Sequence, residues 1–203
     1  YLNNTIINSD FLSIICISIF LFIAYHFKSL SLSGYFGSVI MGTIIIFYGS
    51  EFNLILLAVF FVLSSSLGKL IKDYSFKAQS PSNRNITQVF CNGGIALIIC
   101  IYDFFIFDFN YLYIFTASIA AAMSDTWGTE FGKLSKTKPL SIITGKTINH
   151  GLSGGITRIG ILGSLLGSCI IGFTLWIILP TSDILIYGVI ISGFLAAIFD
   201  SIL

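Results

Sequence analysis

A chain of 203 residues with 56% hydrophobic and only 9% charged residues, and a mean hydropathy of +0.97, cannot cover a soluble surface, because soluble domains carry about 25% charged residues. Its net charge of +1 gives no basis for nucleic-acid binding. The composition predicts an all-α, polytopic integral membrane bundle of about six to seven transmembrane helices, forming one domain over residues 1–203. Cys16, Cys91, Cys100 and Cys169 form no CxxC pair and mostly lie in apolar runs, so they read as small packing residues.

A crossing helix needs about 20 mostly apolar residues, with about 17 as a lower limit. In chain order the expected spans are Phe11–Phe27, Leu32–Tyr48, Asn53–Leu67, Val89–Phe107, Tyr111–Ser124, Ile156–Leu179 and Ile184–Leu203. A polar loop is expected from Gly68 to Thr87, and Pro180 stops the sixth span. No basic segment precedes the first span, so a cleaved signal peptide is not expected. The chain begins at Tyr1 and stops at Leu203 inside an apolar run, as expected of a trimmed carboxyl terminus.

Seven spans place all ten Lys and Arg on one face, and Asp10, Glu51, Asp103, Asp108 and Asp183 on the other. The positive-inside rule makes the basic face cytoplasmic and puts the amino terminus outside the cytoplasmic membrane. Small residues four apart recur, as in Gly163/Gly167, Ser164/Ser168 and Ala117/Ala121, a spacing that lets helix backbones approach closely.

Polar residues concentrate between Ser124 and Gly155, which read SDTWGTEFGKLSKTKPLSIITGKTINHGLSGG. An ordinary solvated loop is the plain alternative. Four clusters fall on the cytoplasmic side. Arg84, Gln88 and Asn92 are spaced by four, so on a helix they share one face, followed by Gly93-Gly94. They suit anion contact, or else form an interfacial helix end with a snorkelling Arg. Asp125 ends the fifth span and Glu130 follows. On a straight helix the two point about 140° apart, so they share a site only if the helix breaks, as Gly128 permits. Two carboxylates near phosphates hold Mg²⁺ through a few oxygens; the rival reading is a helix end with solvated acids.

The third cluster, Thr144-Gly145-Lys146-Thr147, looks like the tail of a Walker A loop, but Leu140 stands where that motif needs Gly. Lys146 and Thr147 can still meet a phosphate. Gly151, Gly154 and Gly155 then form a glycine turn before the sixth span, either a phosphate cradle at a helix amino terminus or simply a turn. His150 receives no role. The fourth cluster is Asp200-Ser201. Its depth matches that of Asp125, since sixteen residues from Ile184 rise about 24 Å. Acids, a Gly-Lys-Thr, glycine turns and an Arg on one membrane face suit phosphoryl transfer, which needs positioning and charge stabilisation more than covalent chemistry. A nucleoside triphosphate and a lipid are the expected partners, within membrane lipid; a homo-oligomer stays open.

SDTWGTEFGKLSK followed by KPLSIITGKTINHGLSGGIT resembles the signature of the phytyl-phosphate kinase family, also called domain of unknown function 92, which includes transmembrane protein 19. RNITQVFCNGG and the terminal DSIL resemble its other segments. The resemblance implies a CTP-dependent kinase that converts phytyl or a similar isoprenoid monophosphate to the diphosphate with Mg²⁺. It carries over Asp125, Glu130, Lys146, Gly154, Gly155 and Asp200; the family it resembles usually continues past the DSxL segment with more polar residues. Together these readings make Asp125 and Lys146 catalytic. They give Asp125, Glu130 and Asp200 to the metal, and Arg84, Asn92, Thr147, Gly151, Gly154 and Gly155 to CTP. A transporter or flippase, or a non-catalytic scaffold, is the alternative; one-edged polar motifs argue against the former, since transport sites sit near the bilayer midplane.

Overall fold

A computed structural model describes residues 2–74, 83–106, 111–149, 152, 154–179 and 182–202. The chain forms helices α1 (Leu2–His26), α2 (Leu32–Tyr48), α3 (Glu51–Tyr74), α4 (Ile86–Ile106), α5 (Tyr111–Gly132), α6 (Arg158–Ile178) and α7 (Asp183–Asp200). Two short strands, β1 (Leu140–Ser141) and β2 (Gly155–Ile156), lie between α5 and α6. The fold is therefore the expected all-α membrane bundle. Among the described residues, α3, α4, α6 and α7 have the length and apolarity to cross a membrane. The apolar parts of α1 and α2, Phe11–His26 and Leu32–Tyr48, are shorter. Outward side chains such as Phe11, Ile98 and Ile184 are large, apolar and exposed. That is the arrangement in which the solvent is lipid, so burial cannot be the sole organiser.

Several element ends differ from the sequence expectation. The third helix continues through Gly68, Lys69 and Lys72 to Tyr74, so the expected loop start is helical. The other part of that loop, 75–82, lies outside the described residues, as do Asp108, His150, Gly151 and Pro180. Ile156 belongs to β2, and α6 begins at Arg158 behind the N-cap Thr157, whose hydroxyl accepts from Gly160 N at 3.0 Å. Polar side chains set these ends, because a helix leaves its first N–H groups unpaired.

The chain sorts into two compact units interleaved in sequence: residues 1–55 with 81–115, and 56–80 with 116–203. In the first unit α2 packs on α1 and α4. The α1 terminus is a Schellman turn: Lys28 N donates to Tyr25 O, Ser29 N donates to Ala24 O, and Lys28 takes φ +57°. The chain then forms a short parallel bridge, Leu30 to Arg84. A reciprocal capping box starts α4: Asn85 N donates to Gln88 Oε1 at 3.1 Å, and Gln88 N donates to Asn85 Oδ1 at 3.0 Å.

In the second unit, small residues bring α6 against α5. An added Cβ at Gly128 would strike Ser164 Oγ, and one at Gly163 would come within 2.8 Å of Phe131 Cβ and Trp127 O. Ser124 Oγ donates to Ser164 O at 2.8 Å across the crossing. Helix α5 also meets α7, through Ala120 and Gly193. Ile119, Ala120, Met123, Ile171 and Leu175 are completely buried here. The spacing of glycine and serine on α6 thus does what the sequence pattern predicted: it allows backbone contact where packing, not water, supplies the driving force.

Candidate functional site

The second unit holds most of the candidate residues. Helix α5 runs unbroken through Gly128 to Gly132, so the break that would let Asp125 and Glu130 share a site does not occur. Gly128 is small because Ser164 and the Gly160 carbonyl press against it, not because the helix bends there. With 3.6 residues per turn the two acids point about 140° apart. Glu130 instead accepts from Lys133 Nζ at 2.6 Å, three residues on and just past the end of α5, and its carboxyl lies near Gly68 of α3. Among the described residues no three His, Cys, Asp or Glu side chains gather as a metal cage. Asp125, Glu130 and Asp200 therefore do not gather into one three-acid group.

Burial, and with it the charge of Asp200 on α7, holds the Asp125 carboxyl on α5 above its ordinary range. The two carboxylates lie within electrostatic range of each other, although 75 residues apart in sequence (200 minus 125). Both residues nonetheless keep exposed surface. Like charges repel, so such a pair gains from a cation between them. Asp200 is the last residue of α7 and Ser201 caps it, with Ser201 N donating to Ala197 O at 3.3 Å.

The loop between α5 and α6 is built onto this end of α7. Leu140 pairs with Ile156 and Ser141 with Gly155 in the antiparallel β1–β2 ladder. The chain folds back within 139–148: Ser141 N donates to Lys146 O, Gly145 N donates to Ser141 O, and Ile148 N donates to Pro139 O, each at 2.9 Å. Gly145 sits in the turn at φ +64°, a left-handed conformation that glycine adopts without steric cost. Lys146 and Thr147 follow it, both exposed. This is a β-hairpin and not a strand–loop–helix, in agreement with the rejection of a Walker A loop.

Gly154 connects the hairpin to the acids. Its carbonyl accepts from Ile142 N at 3.3 Å. It has φ +78°, and a Cβ there would come within 3.3 Å of the Ser201 carbonyl. Gly155 is walled in by Ile148 and Pro139, with a virtual Cβ 2.8 Å from Ile148 Cδ1. Close packing thus gives both glycines a structural role; Gly151 lies outside the described residues. The Gly154 turn thus joins the hairpin, through Ile142, to Ser201 beside Asp200, whose charge reaches Asp125.

The first unit carries the remaining two candidates. Arg84 does not share a helical face with Gln88 and Asn92, because Arg84 precedes the N-cap and is extended in the bridge to Leu30, while Gln88 is engaged in the capping box. Arg84 is half-buried, and its carbonyl accepts from Ser31 N at 3.0 Å. Asn92 is half-buried on α4, one residue before the buried Gly93. The sequence reading passed over Trp127, two residues beyond Asp125, whose Nε1–H is buried with no hydrogen-bond partner. It also passed over Thr157, for which a Thr just before the Arg158-Ile159-Gly160 run was the available N-cap signal.

The profile of the family described as integral membrane protein DUF92 matches residues 15–203. The uncharacterized membrane protein MJ0933 of Methanocaldococcus jannaschii is 33% identical over 180 residues, covering 88% of this chain and 75% of that protein. Protein PGR of Arabidopsis thaliana is 32% identical over 180 residues, covering 80% of this chain and 62% of its own length. No solved structure matches.

Proposed function

The chain belongs to the DUF92 family of integral membrane proteins, and from that premise we propose that it is a CTP-dependent prenyl-phosphate kinase acting at the cytoplasmic edge of the membrane. The Gly154 turn set against Ser201 at the Asp200 end of α7, with Asp125 within reach of the Asp200 charge, supports this reading. Two exposed carboxylates suit Mg²⁺, which binds proteins through one or two carboxylates and takes its other ligands from phosphates and water. When bound, Mg²⁺ supplies charge neutralisation of the triphosphate. Asp125 and Asp200 would hold it. Lys146 and Thr147, presented by the hairpin, bind phosphate oxygens. An oxygen of the isoprenoid monophosphate attacks the γ-phosphorus of CTP. The bond from that phosphorus to the β–γ bridging oxygen breaks, and CDP leaves. The acceptor is already anionic, so no strong general base is required.

The apolar groove between α6 and α7, about 570 Å³ and lined by Leu166, Ile170, Phe173, Ile186 and Ile190 among others, suits the isoprenoid tail. Ile190 lies about 15 Å along α7 from Asp200 at the helical rise, a separation suited to a long chain whose phosphate stays at the acids. Basic residues at the carboxyl ends of α1, α3 and α5 and the amino ends of α4 and α6 support a cytoplasmic site and an external amino terminus.

The test uses full-length protein in detergent with Mg²⁺, labelled CTP and phytyl or geranylgeranyl phosphate. Labelled lipid diphosphate that disappears in Asp125→Asn and in Asp200→Asn, with helicity unchanged, is the expected outcome. Near-normal turnover in either variant would refute its metal role. No product from folded protein with any triphosphate or prenyl phosphate would sink the kinase reading and turn attention to lipid transport.

A further inference from the structure

We propose that the hairpin of residues 139–148 is a membrane-surface element, with Ile143 and Leu140 seated in the headgroup region of the protein's own bilayer and Lys136 and Lys138 against anionic lipid. The inference rests on membrane residence of α6 and is independent of the kinase reading.

Three observations lead to it. The hairpin exposes large aliphatic side chains: Ile143 is 70% and Leu140 49% exposed, and Leu152 just beyond is 59% exposed. A solvated turn of this kind is normally polar, because exposed aliphatic surface costs free energy in water. Backbone hydrogen bonds hold the turn in this form, through Ser141, Gly145 and Ile148, so these side chains are presented by a built structure.

The second observation is charge. Lys133, Lys136, Lys138, Lys146 and Arg158 fall in this stretch, and no Asp or Glu occurs between Glu130 and Asp183. Lys136 and Lys138 are exposed. Basic residues beside a span attract the anionic lipids of the cytoplasmic leaflet. Aliphatic and cationic groups side by side are the composition of interfacial segments.

The third is tethering. Strand β2 ends at Ile156, and a single residue, Thr157, separates it from α6, whose length and apolarity suit a crossing helix. The hairpin is fastened to β2 and therefore stays within a few residues of the bilayer surface. A tethered partner is always at high effective concentration, which favours the membrane over a separate protein as the occupant. The same placement brings Lys146 to headgroup level, where the phosphate of any lipid ligand resides.

The experiment places one environment-sensitive fluorophore on the hairpin in the full-length protein. Ile143→Cys is labelled with nitrobenzoxadiazole in a background with Cys16→Ser, Cys91→Ser and Cys169→Ser; Cys100 is completely buried and is retained. The protein is placed in nanodiscs of phosphatidylcholine alone or with phosphatidylglycerol. A blue-shifted emission, quenched by shallow nitroxide-labelled lipid and protected from aqueous iodide, is the expected result. Phosphatidylglycerol should deepen the shift, and Lys136→Gln with Lys138→Gln should reverse that deepening. Leu140→Cys provides a second position if labelling at Ile143 disturbs folding, judged by circular dichroism. Water-like emission quenched by iodide in both lipid mixtures overturns the proposal. So does protection from both quenchers with cross-linking to a second copy, which would make the hairpin a subunit contact.

Discussion

The α5–α6 crossing offers a sharp test because glycines in this protein differ so much in their surroundings. Alanine at Gly167 places its Cβ 2.8 Å from Met123 O, 3.0 Å from Met123 C and 3.2 Å from Ser124 Cα. These are backbone atoms of α5 and no rotamer change relieves them, so the two helices must separate by several tenths of an ångström. Overpacking of this kind costs about 1–3 kcal/mol. Alanine also gains about 0.5–1 kcal/mol over glycine inside a helix, leaving a net loss centred near 1 kcal/mol. Gly188 on α7 is the control, since a Cβ there meets nothing within 4 Å. The helical gain stands alone in Gly188→Ala, so the two variants should differ by about 1–3 kcal/mol, with opposite signs relative to the parent. Unfolding in mixed micelles with rising dodecyl sulfate, followed by far-ultraviolet circular dichroism, measures both. Equal stability of Gly167→Ala and Gly188→Ala would show that α5 and α6 do not make backbone contact. Met123 and Ser124 precede Asp125, so Gly167→Ala should also lower any activity that depends on Asp125, while Gly188→Ala should not.

Glu130→Gln should lose far less turnover than Asp125→Asn, because Glu130 is paired with Lys133 and set apart from Asp200; its stability cost should be at most about 1 kcal/mol, as for a partly exposed ion pair, and equal losses of turnover would return Glu130 to the metal site. Asn85→Ala removes the side chain that accepts from Gln88 N at the start of α4; the expected loss is about 1 kcal/mol, read in the same unfolding assay, and a neutral outcome would contradict the capping box. Lys28→Gly should stabilise the fold by about 1 kcal/mol, because Lys28 occupies a left-handed conformation that costs a side-chain-bearing residue roughly that much; a lower unfolding midpoint would show that the lysine side chain contributes more than its backbone costs.

The sequence by itself determined the class of this protein and roughly where its helices fall. A chain this apolar has lipid for solvent, and helices are the form that satisfies backbone hydrogen bonds locally there. Leu32–Tyr48 was legible to the residue, and the small-residue spacing on the sixth span correctly announced a close crossing. The polar clusters were legible as residue types. Their arrangement was not, because it depends on contacts between residues far apart in sequence. Whether α5 breaks at Gly128 depends on what lies against it, and Ser164 and Gly160 of α6 give that glycine a packing reason instead. Only the tertiary structure could therefore separate Glu130 from Asp125 and bring the Asp200 charge within reach of Asp125. The same holds for Gly154 and Gly155: glycine types alone suggested a phosphate cradle or a turn, and only the structure adds that Ser201, Ile148 and Pro139 are groups they make room for. Arg84 looked helical by its spacing of four, yet the Asn85–Gln88 box begins the helix one residue too late for it. Periodicity records which solvent each face of a helix meets; which acids face one another is decided by helices crossing where their backbones can touch.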